Sequence, residues 1–215
     1  MDGINDTNNE IGNNPAILYT YDTIMAFVDA IIPRTPMLAQ IYGEIMYYGA
    51  LDFYTDEYMV MILNHYYIPY SYIIAVLLNY TAMLYMKTLS NNEENSTEII
   101  VKPLFPMLSP RERFLALTNI SQYDIISSDL NLFNEYPGIN LVNNSLNRYT
   151  MLGYYSEWYG YGTTRLLEPD QRILEYKPPS WEQIGYPGPS FSYLSIVREY
   201  YAIRNKKNET KPIME

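Results

Sequence analysis

The chain has 215 residues, of which 48% are hydrophobic, and this is enough apolar material for one domain with its own core. Its formal charge is −10 and its pI is about 4.6, which argues against nucleic-acid binding because phosphate contacts need clustered Lys and Arg. The absence of cysteine excludes disulfides, thiolate catalysis and cysteine-ligated metal or iron–sulfur sites.

The N-terminal part of the sequence predicts a flexible segment over 1–15 and then a first helix. Residues 1–15 are polar and rich in Asn. Asp22 is a candidate N-cap for the helix, and Pro33 ends it at Ile32 or earlier. One helical face is formed by apolar residues at positions i, i+3, i+4 and i+7, namely Ile24, Phe27, Val28 and Ile31.

Three further helices are predicted before residue 90. The second begins at Pro36 and has an apolar face formed by Leu38, Ile41, Tyr42 and Ile45. The third begins at Thr55, and Pro69 separates it from a fourth over about 70–87. The run 58–86 has no charged residue, but Pro69 and several polar residues interrupt it, which favours two buried helices over a membrane span.

The rest of the helical domain, which we place at 16–153, contains a surface loop and two more helices. The loop is the polar, low-complexity segment 90–98. Ser109 and Glu112 flank Pro110 in a capping-box pattern that begins one helix, and another is predicted over 140–153. The fold class is therefore mainly α, a bundle of about five to six helices.

Residues 154–215 lose helical periodicity and are rich in Tyr, Trp, Pro and Gly. We expect a long, ordered but irregular C-terminal arm here, with a short helix around 195–204 and a polar tail. The segment SWEQIGYPGP within it is too rich in Pro and Gly for a regular helix or a central strand.

Few residues are suited to catalysis or metal binding. The single histidine, His65, lies in an apolar run, which favours a hydrogen-bonded core residue over a general base. Capping or solvation accounts for the carboxylates that a metal site would need, which are Asp22, Asp29, Asp52, Asp56 and Glu57. No nucleotide-binding motif is present. We therefore assign no catalytic, cofactor-binding or metal-binding residue to this chain.

Two arginines and the many tyrosines are the candidates for binding. Arg34 lies at a helix–helix corner and Arg165 follows a Gly/Tyr-rich stretch, so either could pair with a carboxylate of this chain or reach an acidic group on a partner. The chain has 25 Tyr against 6 Phe. Tyr is enriched at interfaces, although codon bias explains the excess equally well.

Two segments in this order resemble the subunit 3 family of gluconate 2-dehydrogenase. The segment FVDAIIPRTP is similar to the family's DAIIPRT signature. The stretches GYYSEWYGYGTTR and SWEQIGYPGP are similar to the family's glycine/aromatic stretch and its W-x-x-I-G-[YF]-P-G segment. The matched motifs cover roughly 40 residues and bracket positions 21–189.

The resemblance implies a mainly helical, non-catalytic small subunit. Its partner would be a flavoprotein of the glucose–methanol–choline type, which holds the FAD and oxidises an alcohol or sugar, and a cytochrome subunit often accepts the electrons. Many small subunits of the family carry a twin-arginine signal, and this sequence does not show one at its start. We therefore expect a cytoplasmic protein that is exported only if a partner supplies the signal.

A rigid Trp/Tyr/Pro arm suits a protein interface, because it loses little conformational entropy on docking. The predicted partner-facing residues are Arg34, Tyr154, Tyr155, Trp158, Arg165, Trp181 and Tyr186. The alternative is that the arm folds back and covers this chain's own helices. For function, the alternative is a structural protein of a spore or cell-surface layer that assembles through Tyr-rich interfaces.

Overall fold

A computed structural model describes residues 14–65, 67, 69–90, 103–119 and 139–188. These residues are mainly helical and contain no β-strand, which confirms the predicted fold class. The seven α-helices of these described segments are α1 (Pro15–Ile31), α2 (Ala39–Tyr42), α3 (Thr55–Asn64), α4 (Ser71–Ser90), α5 (Pro110–Asn119), α6 (Ile139–Tyr155) and α7 (Pro179–Gln183). The predicted loop beyond Ser90 and the predicted helix over 195–204 lie outside the described residues.

Helix α1 is the central element, and α3, α4 and α5 pack around it. Its predicted face is confirmed, because Ile24, Phe27 and Val28 are fully buried. The helix begins earlier than predicted, at Pro15, where the side chain of Asn14 accepts a hydrogen bond from the Ala16 N–H. The prediction of Asp22 as N-cap is therefore wrong, because that residue is an exposed position inside the helix.

A buried amide joins three parts of the core. Asn79 of α4 is completely buried, and its Nδ2 donates to the hydroxyl of Thr23 in α1 over 2.8 Å. Its Oδ1 accepts a hydrogen bond from the Phe105 N–H over 2.8 Å. A buried polar group is tolerated when it is paired in this way, and the pairing fixes α4 against both α1 and the 3₁₀ turn Phe105–Met107.

The predicted second helix does not form as one element. The segment 36–53 is a series of short turns: 3₁₀ helices at Pro36–Leu38, Glu44–Tyr47 and Ala50–Phe53, with α2 between the first two. Gly43 interrupts the pattern with a φ of 92°, which strongly favours glycine. Two backbone hydrogen bonds of 2.8 Å, from Thr35 N to Met46 O and from Ala50 N to Ile32 O, then fold the segment back on the end of α1.

The remaining helix boundaries follow the sequence signals. Helix α3 begins at Thr55 as predicted, and α4 begins shortly after Pro69. At the start of α5, Ser109 N donates to the Glu112 carboxylate over 2.8 Å and Glu112 N donates to Ser109 Oγ over 3.4 Å, so the capping box is confirmed. By length and composition alone, the stretches Pro15–Tyr42 and Ser71–Leu89 are apolar enough to cross a membrane, and both also contribute to the core.

Beyond α6 the chain runs in short turns over α3 and the end of α6. It forms 3₁₀ helices at Tyr159–Thr164 and Pro169–Gln171 before α7. Glu175 N donates to Gly160 O over 2.8 Å, which closes this part of the chain into a loop. A side chain at Gly160 would lie 2.5 Å from the Tyr176 carbonyl oxygen, so the loop needs glycine at this point.

Candidate functional site

Most of the predicted interface residues lie in or beside one aromatic cluster. The cluster forms where the turn Ala50–Phe53, the start of α3 and the end of α6 meet, and it consists of Phe53, Tyr54, Tyr58, Tyr154, Trp158 and Tyr159. The ring centroid of Phe53 lies 4.7 Å from those of both Tyr154 and Tyr159. These separations are typical of interacting aromatic rings, so the cluster joins the N-terminal half of the bundle to the C-terminal arm.

Tyr54 is the junction of this cluster. It immediately precedes α3 and has a φ of 53°, which makes it the one non-glycine residue with a positive φ in the described part of the chain. Its carbonyl oxygen accepts a hydrogen bond of 2.9 Å from Trp158 Nε1. The guanidinium carbon of Arg165 lies 3.8 Å from the centroid of its ring. These contacts hold Tyr54 in a conformation that tyrosine rarely adopts.

Three predicted partner-facing aromatics are buried within this chain. Tyr154, Trp158 and Trp181 are each about 97–98% buried. The Tyr154 hydroxyl donates to Tyr48 O over 3.2 Å, and Trp181 Nε1 donates to Tyr155 O over 2.8 Å. Burial raises the pKa of Tyr154 to about 12, with a further contribution from Tyr155. For these three residues the structure agrees with the alternative, in which the arm covers the chain's own helices.

The other two predicted aromatics lie at the surface. Tyr155 and Tyr186 are partly exposed and line an open groove of about 940 Å³ between α6 and α7. We call this space between the two helices the α6–α7 groove. On its wall, the Tyr186 ring packs edge-on against Trp181, with centroids 4.9 Å apart. A role for Tyr155 and Tyr186 in partner binding stays a prediction.

Both predicted arginines form ion pairs inside the chain. Arg165 donates to the Glu57 carboxylate from Nε (2.7 Å) and Nη2 (3.1 Å), and both side chains are largely buried. Arg34 makes a bidentate pair with Asp52, but its own side chain is 63% exposed. Burial opposes ionisation of Asp52, but the hydrogen bonds from Arg34 and the Gly49 N–H outweigh it and hold the pKa of this carboxyl below its usual value. Arg34 is thus the more accessible of the two arginines.

An exposed apolar surface follows Arg34 directly. It comprises Met37, Leu38, Ile41, Tyr42, Tyr47 and Tyr48, and we call it the 37–48 surface. Met37 and Ile41 are 92% and 73% exposed. Residue spacing predicted Leu38, Ile41 and Tyr42 as a buried helical face, and this is wrong because Gly43 breaks the helix and the turns project these side chains outward. Sequence reasoning therefore missed this surface, although the Gly43 signal was present.

Within the described segments, the candidate metal-binding carboxylates and His65 do not form one site. His65 is exposed at the C-terminal end of α3, so its prediction as a core residue is wrong. No group of three or more His, Asp or Glu in the described segments is placed to hold a metal ion. The candidate carboxylates Asp52, Glu57 and Asp29 each pair with an arginine instead.

No family model, no curated protein and no solved structure matches this chain.

Proposed function

We propose that this chain is a non-catalytic subunit that binds and stabilises another protein, and that the partner is a flavin-dependent alcohol or sugar dehydrogenase of the glucose–methanol–choline type. The observation that supports a binding role is the 37–48 surface. Contiguous exposed apolar side chains on a soluble protein mark interaction sites, and Tyr is a favoured anchor at interfaces. The choice of a flavoprotein partner rests on the resemblance of the two sequence motifs.

The positions of these two motifs are consistent with the proposal. FVDAIIPRTP ends α1 and leads directly into the 37–48 surface. The segment that contains Trp181 forms α7, which contacts the turn Glu44–Tyr47 in the same surface. Both motifs thus shape the backbone beneath the proposed interface. Arg34 at its edge is paired with Asp52 but is 63% exposed, so its remaining N–H groups are available to a carboxylate on the partner.

The test is purification of the tagged full chain from its own host, with a visible spectrum and the mass of the complex. The proposal expects a yellow complex that contains flavin and a second chain of flavoprotein size. Ile41→Glu should abolish this complex without changing the circular dichroism spectrum, because Ile41 is exposed in the isolated chain. Ile173→Glu is the matched control, since Ile173 is 65% exposed on a different surface, and it should retain the complex.

A second candidate is a structural protein that assembles with itself. The exposed tyrosines of the 37–48 surface, Tyr42, Tyr47 and Tyr48, favour it because Tyr-rich surfaces can pack against one another. The same purification separates the two. A colourless homo-oligomer that Ile41→Glu dissociates would replace the flavoprotein proposal with this one, and a colourless monomer would overturn both.

A further inference from the structure

The α6–α7 groove is an apolar site that the described residues leave open. Its floor is one face of α6, where Met151, Leu152 and Tyr155 are all partly exposed, and its other wall includes Ile184 and Tyr186. The helical part of this face runs from Asn147 to Tyr155, which is about 12 Å at 1.5 Å per residue. An open apolar trough of this shape suits an amphipathic helix.

We propose that the chain's own C-terminal segment, 189–215, binds in the α6–α7 groove through a helix over about 193–204. The described chain ends at this groove. Tyr186 lines it, and a side chain at Gly188 would meet the Trp181 ring at 3.8 Å. The described chain therefore ends, at Gly188, beside a residue that lines the groove. The linker 189–192 spans at most about 14 Å, enough to place the next residues over α6.

The sequence of this segment matches the groove in its apolar pattern. We place the residues around the helix at 100° per residue. With the exception of Arg204, one half of the circumference then carries only apolar or aromatic side chains. They are Tyr193, Leu194, Ile196, Val197, Tyr200, Tyr201 and Ile203. The opposite half carries Ser195, Arg198, Glu199 and the small residue Ala202. A helix over 193–204 would be about 18 Å long, enough to cover the α6 face from end to end.

Charge also agrees with this occupant. The last 18 residues hold five of the chain's 14 basic residues, whereas the whole chain carries −10. A basic tail is therefore attracted to an acidic body.

The absence of native cysteine allows a direct test by disulfide cross-linking in the full-length chain. Leu152→Cys in the groove is combined in turn with Tyr193→Cys, Val197→Cys or Tyr200→Cys on the apolar side of the segment. A disulfide needs Cα atoms within about 7 Å, so only a docked segment gives efficient closure. We expect an intramolecular cross-link in high yield for at least one of these pairs under mild oxidation.

Two control pairs make the result specific. Leu152→Cys with Glu199→Cys tests the polar side of the segment, and Leu166→Cys with Val197→Cys tests an exposed leucine outside the groove. Both should cross-link several-fold less. Equal yields from all pairs, or cross-links that form mainly between two chains, would overturn the proposal. The experiment uses the isolated chain without any flavoprotein, so its outcome is independent of the proposed function.

Discussion

The indole N–H of Trp158 lies 2.9 Å from the carbonyl oxygen of Tyr54, a residue 104 positions earlier in the chain. This hydrogen bond connects the arm to the residue that precedes α3. The Trp158 ring also packs edge-on against Tyr58, with ring centroids 5.4 Å apart. The guanidinium carbon of Arg172 lies 5.5 Å from the centroid of the Trp158 ring. Trp158 is 2% exposed, which makes it a core residue of this chain although its sequence context is typical of an interface.

We expect Trp158→Ala to destabilise the fold by about 3–5 kcal/mol, since it removes a fully buried aromatic side chain. Trp158→Phe should cost less, about 1–3 kcal/mol, because it keeps an aromatic ring and loses the hydrogen bond to Tyr54. Urea unfolding followed by circular dichroism measures both changes. Leu166→Ala, at a residue that is 68% exposed, should stay within about 0.5 kcal/mol of the parent. A Trp158→Ala variant that is fully stable but no longer binds its partner would identify Trp158 as an interface residue instead.

The two arginines should respond differently to replacement by lysine. Arg165 makes two hydrogen bonds to Glu57 and a third, of 2.8 Å, to Gly162 O. Lysine cannot reproduce this planar geometry, and the pair is mostly buried, so we expect Arg165→Lys to cost about 1–3 kcal/mol.

Arg34→Lys is the matched comparison, because Arg34 also makes a bidentate pair but is mostly exposed to water. Solvent screening should make its loss clearly smaller. Thermal unfolding at low and high salt measures both variants, and the Arg34 effect should fade more in high salt. Equal losses at both positions would show that burial of the Arg165–Glu57 pair adds nothing to its contribution.

Local signals in the sequence were sufficient for several elements. The apolar spacing of Ile24, Phe27 and Val28 predicted the buried face of α1, and Pro33 and Pro69 marked helix boundaries. These features depend on residues a few positions apart, so periodicity and capping rules reach them.

The arm and the 37–48 surface depend on contacts that no local rule contains. The hydrogen bonds that bury Trp158 and Tyr154 go to backbone carbonyls of Tyr54 and Tyr48, over 100 positions away. The apolar spacing from Leu38 to Ile45 is helical, but the tie between Thr35 and Met46 overrides it and leaves most of this face exposed. Composition therefore correctly indicated where aromatics concentrate, and tertiary hydrogen bonds decided which of them face inward.

The buried hydroxyl of Tyr154 should make the fold sensitive to alkaline pH. Its pKa is raised to about 12 in the folded protein, chiefly by burial, from an ordinary value of about 10. Between about pH 10 and 12 the unfolded chain loses this proton while the native state keeps it. The unfolded state then binds fewer protons than the native state, so the free energy of unfolding falls as pH rises through this window. Below about pH 10 both states keep the proton, and Tyr154 adds no pH dependence.

Tyr154→Phe removes the ionisable group and also its hydrogen bond to Tyr48 O. We expect it to lower stability at neutral pH by about 1 kcal/mol, and to make the decline between about pH 10 and 12 shallower than in the parent. Urea unfolding repeated across this pH range measures both effects. Tyr47→Phe, which removes a hydroxyl from an exposed ring, is the control and should leave the stability at neutral pH unchanged. If Tyr154→Phe loses stability with alkaline pH as steeply as the parent, then ionisation of this buried tyrosine does not drive the alkaline unfolding.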